Sequence, residues 1–125
     1  MVIRTENQLD KSECVSFKGV TKKLIIGPSV NSNEIVLRIM QLDAGCANIY
    51  HSHPFPHIWK IEKGSGIYID GNKNEAKIKT GDFIFVDQDE PHCLKNNTDE
   101  PLVWLCFGTI DSEKMNPLTF TPHEF

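Results

Sequence analysis

Residues 45–64 read GCANIYHSHPFPHIWKIEKG, and residues 81–96 read GDFIFVDQDEPHCLKN. The first stretch holds His51, His53 and His57, three of the chain's five histidines within seven residues; the second holds His92. Side chains on a strand alternate faces with period two. His51 and His53 therefore point the same way, and His57 shares their parity provided the two prolines between do not shift it. Trp59 and Ile61 continue that face, while Ile58, Lys60 and Glu62 take the other. Trp59 and Ile61 favour burial, so the histidine face is predicted to point inward. Burying several imidazoles together is costly without partners, and charging them all adds mutual repulsion. A divalent metal resolves both problems, because neutral imidazole is a good ligand for first-row metals. A lone histidine reads more simply as a hydrogen-bonded core residue. Four in this pattern read as metal ligands: His51, His53, His57 and His92.

Working outward, the rest of the chain alternates short apolar runs with turn residues. KLII (23–26) ends at Gly27-Pro28, EIVLRIMQL (34–42) at Asp43-Ala44-Gly45, and IYI (67–69) at Asp70-Gly71-Asn72, a hairpin signal. FIFV (83–86) follows Thr80-Gly81-Asp82, and LVWLCFGTI (102–110) starts after Pro101. This is the pattern of many short strands joined by tight turns, with no long helical periodicity. An antiparallel sandwich or small barrel follows, since closure protects strand edges. Residues 1–13 are expected as an extended lead-in. Residues 111–125 form a tail whose Phe120 and Phe125 could pack over the barrel or over a neighbouring subunit.

With 125 residues the chain is expected to form one domain, 1–125, able to bury a sizeable core. A net charge of −4 and a sequence pI of about 5.7, with lysines mixed among acidic residues, give no footprint for nucleic acid. No apolar run is long enough to cross a bilayer, and the polar start MVIRTENQLDK has no signal core. A soluble, cytoplasmic protein is expected. Cys14, Cys46, Cys93 and Cys106 form no CxxC pair, so free thiols are expected rather than disulfides or a thiolate zinc site.

The two opening stretches resemble the two motifs of the cupins. The first motif, G-x5-H-x-H-x(3,4)-E-x6-G, is matched from Gly45 to Gly64, with His57 where glutamate usually stands. The second, G-x5-P-x-G-x2-H-x3-N, is matched at Gly81, His92 and Asn96, with Asp87 and Asp89 in place of proline and glycine. Similar single-domain cupins carry HSHPWEH where this chain has HSHPFPH, and a last strand like FLCxxP where this one has WLCFG. The resemblance covers about residues 20–110. It implies an all-β double-stranded β-helix, a jelly-roll barrel with a metal inside. It carries over His51, His53, His57 and His92 as ligands, the same four that the residue pattern selects. Four-histidine cupins of this kind resemble manganese or iron proteins, with zinc or nickel as the other candidates. Small cupins commonly pair as homodimers through their sheets and terminal segments, and that is expected here. Asp87 and Asp89 fall in a turn, where aspartate tolerates tight geometry.

Exchanging glutamate for His57 leaves the bound divalent ion at +2 and favours an anionic ligand in its open positions. Cys106 could be a pocket wall, a redox-sensitive thiol or a small core residue, and free cysteine is most often the last. Arg38, in VLRIM, is read as an outward surface charge; facing inward, its planar fork could hold a substrate carboxylate. Trp59, Phe83, Phe85 and Trp104 read as core. Asp87, Asp89 and Glu90 can reach the rim, but the metal face itself shows no acidic residue or lysine to serve as a positioned base. That favours metal-centred chemistry over hydrolysis or epimerisation. The expected function is a small metal-dependent oxidoreductase, dioxygenase-like, acting on a small chelating or anionic substrate. The alternatives are a non-redox lyase or isomerase on a sugar acid, and a non-catalytic small-molecule binder.

Overall fold

Apolar residues at alternate positions, cut every few residues by Gly, Pro, Asn or Asp, leave the chain little choice but short strands. The structure, a computed structural model, describes residues 1–9, 12–13, 17–114 and 121–125. Among the described residues there are eleven strands: β1 (Ser12–Glu13), β2 (Val20–Ile26), β3 (Ile35–Leu42), β4 (His51–Ser52), β5 (His57–Lys63), β6 (Ser65–Ile69), β7 (Glu75–Lys79), β8 (Phe83–Val86), β9 (Cys93–Lys95), β10 (Leu102–Thr109) and β11 (Thr121–Pro122). A six-stranded sheet runs β1-β2-β3-β10-β5-β8, and a smaller one runs β7-β6-β9. β11 pairs β4, and isolated bridges at Ala47–Lys95 and His51–His92 tie the β4 region to β9. All pairings are antiparallel. The order is that of a double-stranded β-helix.

The core lies between the two sheets. Val20, Leu42, Trp59, Ile61, Val86, Leu102, Trp104 and Cys106 from the large sheet meet Tyr68, Ile78 and Leu94 from the small one. The face reading of β5 holds: His57, Trp59 and Ile61 are buried, whereas Ile58 and Glu62 are exposed. Register across the large sheet then sets what stands beside the histidines. Cys106 is opposite Trp59 on one side and Arg38 on the other, and Gly108 is opposite His57.

Turn chemistry closes the barrel. The β6–β7 hairpin forms where Asp70-Gly71-Asn72 predicts it. Asp70 Oδ1 accepts from the Asn72 and Asn74 amides at 2.8 and 2.9 Å, and Lys73 takes the left-handed position at φ 64°. Asp89, standing where the resemblance has glycine, also takes a left-handed φ of 59°. Its amide donates to the His53 carbonyl at 2.8 Å, which pins this turn to the histidine strand. Asn96 is fully buried; its Nδ2 donates to the carbonyls of Leu42, Asp43 and Glu100, and its Oδ1 accepts from Thr98. One side chain thus fastens two crossings.

Two expectations are corrected. Phe83 and Phe85 are not core: they are 72% and 63% exposed, because on β8 it is Ile84 and Val86 that face inward. The lead-in 1–13 is not simply extended, since Glu6–Gln8 form a 3-10 turn. In the tail, Ile110–Lys114 form a second such turn, and Phe125 packs edge-on against Tyr50 at 5.5 Å between ring centroids. Phe120 and Cys14 lie outside the described residues. Among the described residues Cys46, Cys93 and Cys106 are free thiols.

Candidate metal centre

The bridge between His51 and His92 brings β4 against the strand start at β9, and the turn after β4 carries His53 to the same place. Both bridge amides donate across, at 3.0 Å from His51 and 2.8 Å from His92. The ligand nitrogens of His51, His53 and His92 all lie within 4.8 Å of one another, and all three residues are buried. Each ring uses Nδ1 in the same way. His51 Nδ1 lies 2.6 Å from the Ile49 carbonyl, His53 Nδ1 2.9 Å from that of Phe55, and His92 Nδ1 2.8 Å from that of Glu90. A carbonyl oxygen only accepts, so each Nδ1 carries the proton and each Nε2 keeps its lone pair. The backbone thereby fixes tautomer and ring direction, as outer partners of metal-binding histidines generally do.

Burial also holds these rings neutral. Desolvation lowers His51 to about 4 and His92 to about 3, against opposing help from the Ile49 and Glu90 carbonyls. His53 is lowered for the same reason. At neutral pH the group therefore presents three unprotonated nitrogens, the form a metal needs.

His57 is beside this group but not in it. Its ring is 4.7 Å from that of His53, centroid to centroid, and it is buried, yet neither ring nitrogen has a hydrogen-bond partner. Burial pushes it well below the ordinary histidine range, with the Arg38 charge adding to the effect. Two orphaned nitrogens on a buried ring suit a side chain that would turn to a metal as fourth ligand. The donor set fits a divalent first-row ion. The walls are aromatic: Phe17 against His51, Trp59 edge-on to His92, and Tyr68 near-parallel to His92.

A further correction concerns Arg38. It does not face outward. It is 5% exposed and lies on the inward face of β3 with Val36 and Leu42. An apolar strand such as VLRIM carries no polar–apolar alternation, so its sequence does not label its faces. Arg38 Nη2 donates to Ser112 Oγ at 2.6 Å, and Nη1 is 3.8 Å from Glu113 Oε2. Glu113 also pairs with Lys22 at 3.1 Å. Sequence reading missed Ser112 and Glu113, because both lie in the tail turn after the last barrel strand. The Cys106 thiol is buried in the core, and burial raises its pKa. It lies against Trp59 and Arg38, a weak sulfur contact that leaves Trp59 Nε1 and Arg38 Nε without a full hydrogen bond. His123 is exposed and bonds Ser52 Oγ at 2.7 Å.

The Cupin domain family model matches residues 38–108. No curated protein matches the chain in sequence. Solved structures share the fold. A polyketide cyclase of Streptomyces resistomycificus aligns over 100% of this chain and 87% of its own, with a TM-score of 0.87 and 16% identity. A sugar phosphate isomerase of the cupin superfamily from Silicibacter pomeroyi aligns over 82% and 72%, with a TM-score of 0.72 and 17% identity. A cupin-like protein of Thermotoga maritima aligns over 80% and 76%, with a TM-score of 0.68 and 24% identity.

Proposed function

This chain belongs to the cupin domain family, and from that premise we propose that it is a metal-dependent enzyme acting on a small chelating anion. The observation that carries the reading is the convergence of three Nε2 lone pairs, each fixed by a backbone carbonyl on its own Nδ1. His51, His53 and His92 would hold the ion and His57 would join them. Manganese or iron are the first candidates, zinc or nickel the next. A bound divalent ion supplies charge to polarise a substrate oxygen and, if it is manganese or iron, a route for oxidation by dioxygen. The protein's part is to hold four neutral ligands in a dry aromatic pocket, so that the ion keeps its full charge for an anionic ligand. A purely structural site fits less well, because structural sites are coordinatively closed, whereas an octahedral ion held by four histidines keeps two positions open.

Two reaction classes divide the reading. A dioxygenase-like oxidation needs no acid–base residue, and the apparent lack of one is its support in the sequence. Glu113 alters that support. A largely buried carboxylate whose Oε1 has no hydrogen-bond partner stands beside Arg38. It could move a proton, which favours a non-redox isomerisation or cyclisation, the classes named for two proteins of the same fold. Metal content of untagged protein, purified without chelators, comes first. About one equivalent of metal supports the site, and none after each ion is added back rules it out. Oxygen uptake during substrate screening then separates the classes. Turnover with uptake supports oxidation, turnover without it supports the non-redox class, and binding without turnover leaves a small-molecule binder.

A further inference from the structure

We propose that residues 121–125 form a strap that positions His51 for metal binding, so that docking of the strap and affinity for the ion rise and fall together. The inference rests on the metal-centre reading and adds to it a positioning role for a segment outside the two histidine motifs.

β4 carries His51 and leads into His53, yet it is only two residues long. A strand that short depends on its neighbours to stay in place. On one side it has the His51–His92 bridge, whose amides donate at 3.0 and 2.8 Å. On the other it has β11, with Thr121 opposite Ser52 and Pro122 opposite His51. The strap grips the flanking residues as well. The His123 amide donates to the Tyr50 carbonyl at 2.8 Å, and His123 Nε2 shares a 2.7 Å hydrogen bond with Ser52 Oγ. The Phe125 ring meets that of Tyr50 edge-on at 5.5 Å. Lys95 Nζ lies 4.7 Å from the centre of the Phe125 ring, so the strap also reaches β9, the strand that follows His92.

The route from strap to ligand nitrogen is short. His51 Nδ1 donates to the Ile49 carbonyl at 2.6 Å, and this bond fixes which way Nε2 points. Its geometry depends on the backbone of residues 49–51. Tyr50 stands in the middle of that backbone: its hydroxyl donates to the Asp70 carbonyl at 2.6 Å, and its own carbonyl accepts from His123. His53 and His92 take their Nδ1 partners from Phe55 and Glu90, outside the segment that the strap grips. All five strap residues are nonetheless exposed. Their contacts are single bonds and ring edges at the surface, each weak, so the strap opens more readily than the barrel beneath it. An ion that needs His51 in place favours the closed strap, and by linkage the closed strap favours the ion by the same factor.

The test compares manganese affinity, read by competition with a metal-binding dye, in wild type, a variant lacking residues 121–125, His123→Ala and His123→Gln. Removing the strap should weaken manganese by about tenfold, the lower end of what losing an outer partner costs. His123→Ala should show part of that loss, and His123→Gln should recover most of it, since a glutamine amide can still bond Ser52. Hydrogen exchange of residues 121–125 in wild type, followed by mass spectrometry, should slow on manganese saturation by the factor that strap removal costs in affinity. That measurement needs no variant and keeps the test open if the shortened chain does not fold. A strap that only adds stability would lower the urea midpoint and leave the manganese affinity of the folded protein unchanged; that result, or strap exchange indifferent to manganese, overturns the inference. Wild type that takes up no ion would overturn the metal-centre reading and this inference with it, whereas equal affinity with and without the strap overturns this inference alone.

Discussion

At the scale of single residues, three histidines behave as one device because each spends its Nδ1 proton on a carbonyl two residues away. His57 lacks that anchor. The difference sets an order of effects. His92→Ala should lower manganese affinity by more than about 100-fold, since losing only an outer partner typically costs 10- to 100-fold. His57→Ala should cost less, and competition with a metal-binding dye reads both; equal losses would show that His57 is as fixed as the others. The same rings give a pH dependence to the metal-free protein. His51 and His92 sit at about 4 and about 3, below their ordinary value of 6.5. Between those values the unfolded chain binds protons that the folded chain refuses. Their contribution to stability is therefore complete above about pH 6.5 and is lost as pH falls toward 4 and 3, by about 1.4 kcal/mol per pH unit for each. Urea midpoints in chelator at pH 7.5 and 5.0 should show a clear drop at pH 5.0; an unchanged midpoint would mean the rings are not held neutral. The histidine parity was legible because Trp59 and Ile61 mark the inward face. Arg38 was not, because Leu37 and Ile39 on one side and Val36 and Met40 on the other are all apolar. Glu113 was not, because no periodicity links a tail turn to a barrel interior.

At the scale of elements, the turns do what side-chain patterning cannot: they end strands where the motifs need them ended. Gly64 and Gly81 both take positive φ, 89° and 94°. Only Gly64 is also crowded: a Cβ would fall 2.5 Å from the Pro101 carbonyl oxygen, whereas at Gly81 nothing lies within 4 Å. Gly81→Ala should therefore cost about 1–2 kcal/mol, the left-handed penalty alone. Gly64→Ala should cost clearly more, since backbone must shift as well. Denaturant unfolding measures both, and equal losses would remove the steric reason for Gly64. Asp89 shows how much of a turn the sequence can tell. Its residue type was readable as tolerant of tight geometry, and it adopts φ 59°. Its hold on the His53 carbonyl was not readable, because that bond joins residues 36 apart in the chain and exists only once both sheets have formed. FIFV misled for a plainer reason. A strand apolar on both faces looks like core from either side, and only the pairing of β8 at the edge of the large sheet turns Phe83 and Phe85 outward.

At the scale of the whole molecule, that outward face is the feature a single copy leaves unexplained. Leu37, Phe107, Ile58 and Phe85 stand opposite one another across β3, β10, β5 and β8. Ile35 and Phe83 extend the row at 48% and 72% exposure, and an apolar groove of about 160 Å³ runs along it to Pro56 and Gly108. At roughly 200 Å² per large side chain, Ile35, Ile58, Phe83, Phe85 and Phe107 leave about 500 Å² uncovered, near the upper end for a soluble monomer. A standard interface needs about 800 Å² per partner, so this row supplies most of one. A second copy is the occupant we propose, because a row that crosses four strands of a sheet can meet its own two-fold image, apolar against apolar. Light scattering behind size exclusion should give about 28 kDa, twice the 14.2 kDa chain. Phe85→Glu, which adds charge at a position already exposed, should return it to a monomer without lowering the urea midpoint of the monomeric state. A wild-type mass of one chain at tens of micromolar would remove the dimer. A dimer that survives both Phe85→Glu and Ile58→Glu would move the interface elsewhere. The row ends at Gly108, on whose far side stand Arg38 and His57. Dimer formation would therefore cover the groove that His57 and Gly108 share with Phe85 and Phe107, and monomeric Phe85→Glu protein should bind manganese with altered affinity.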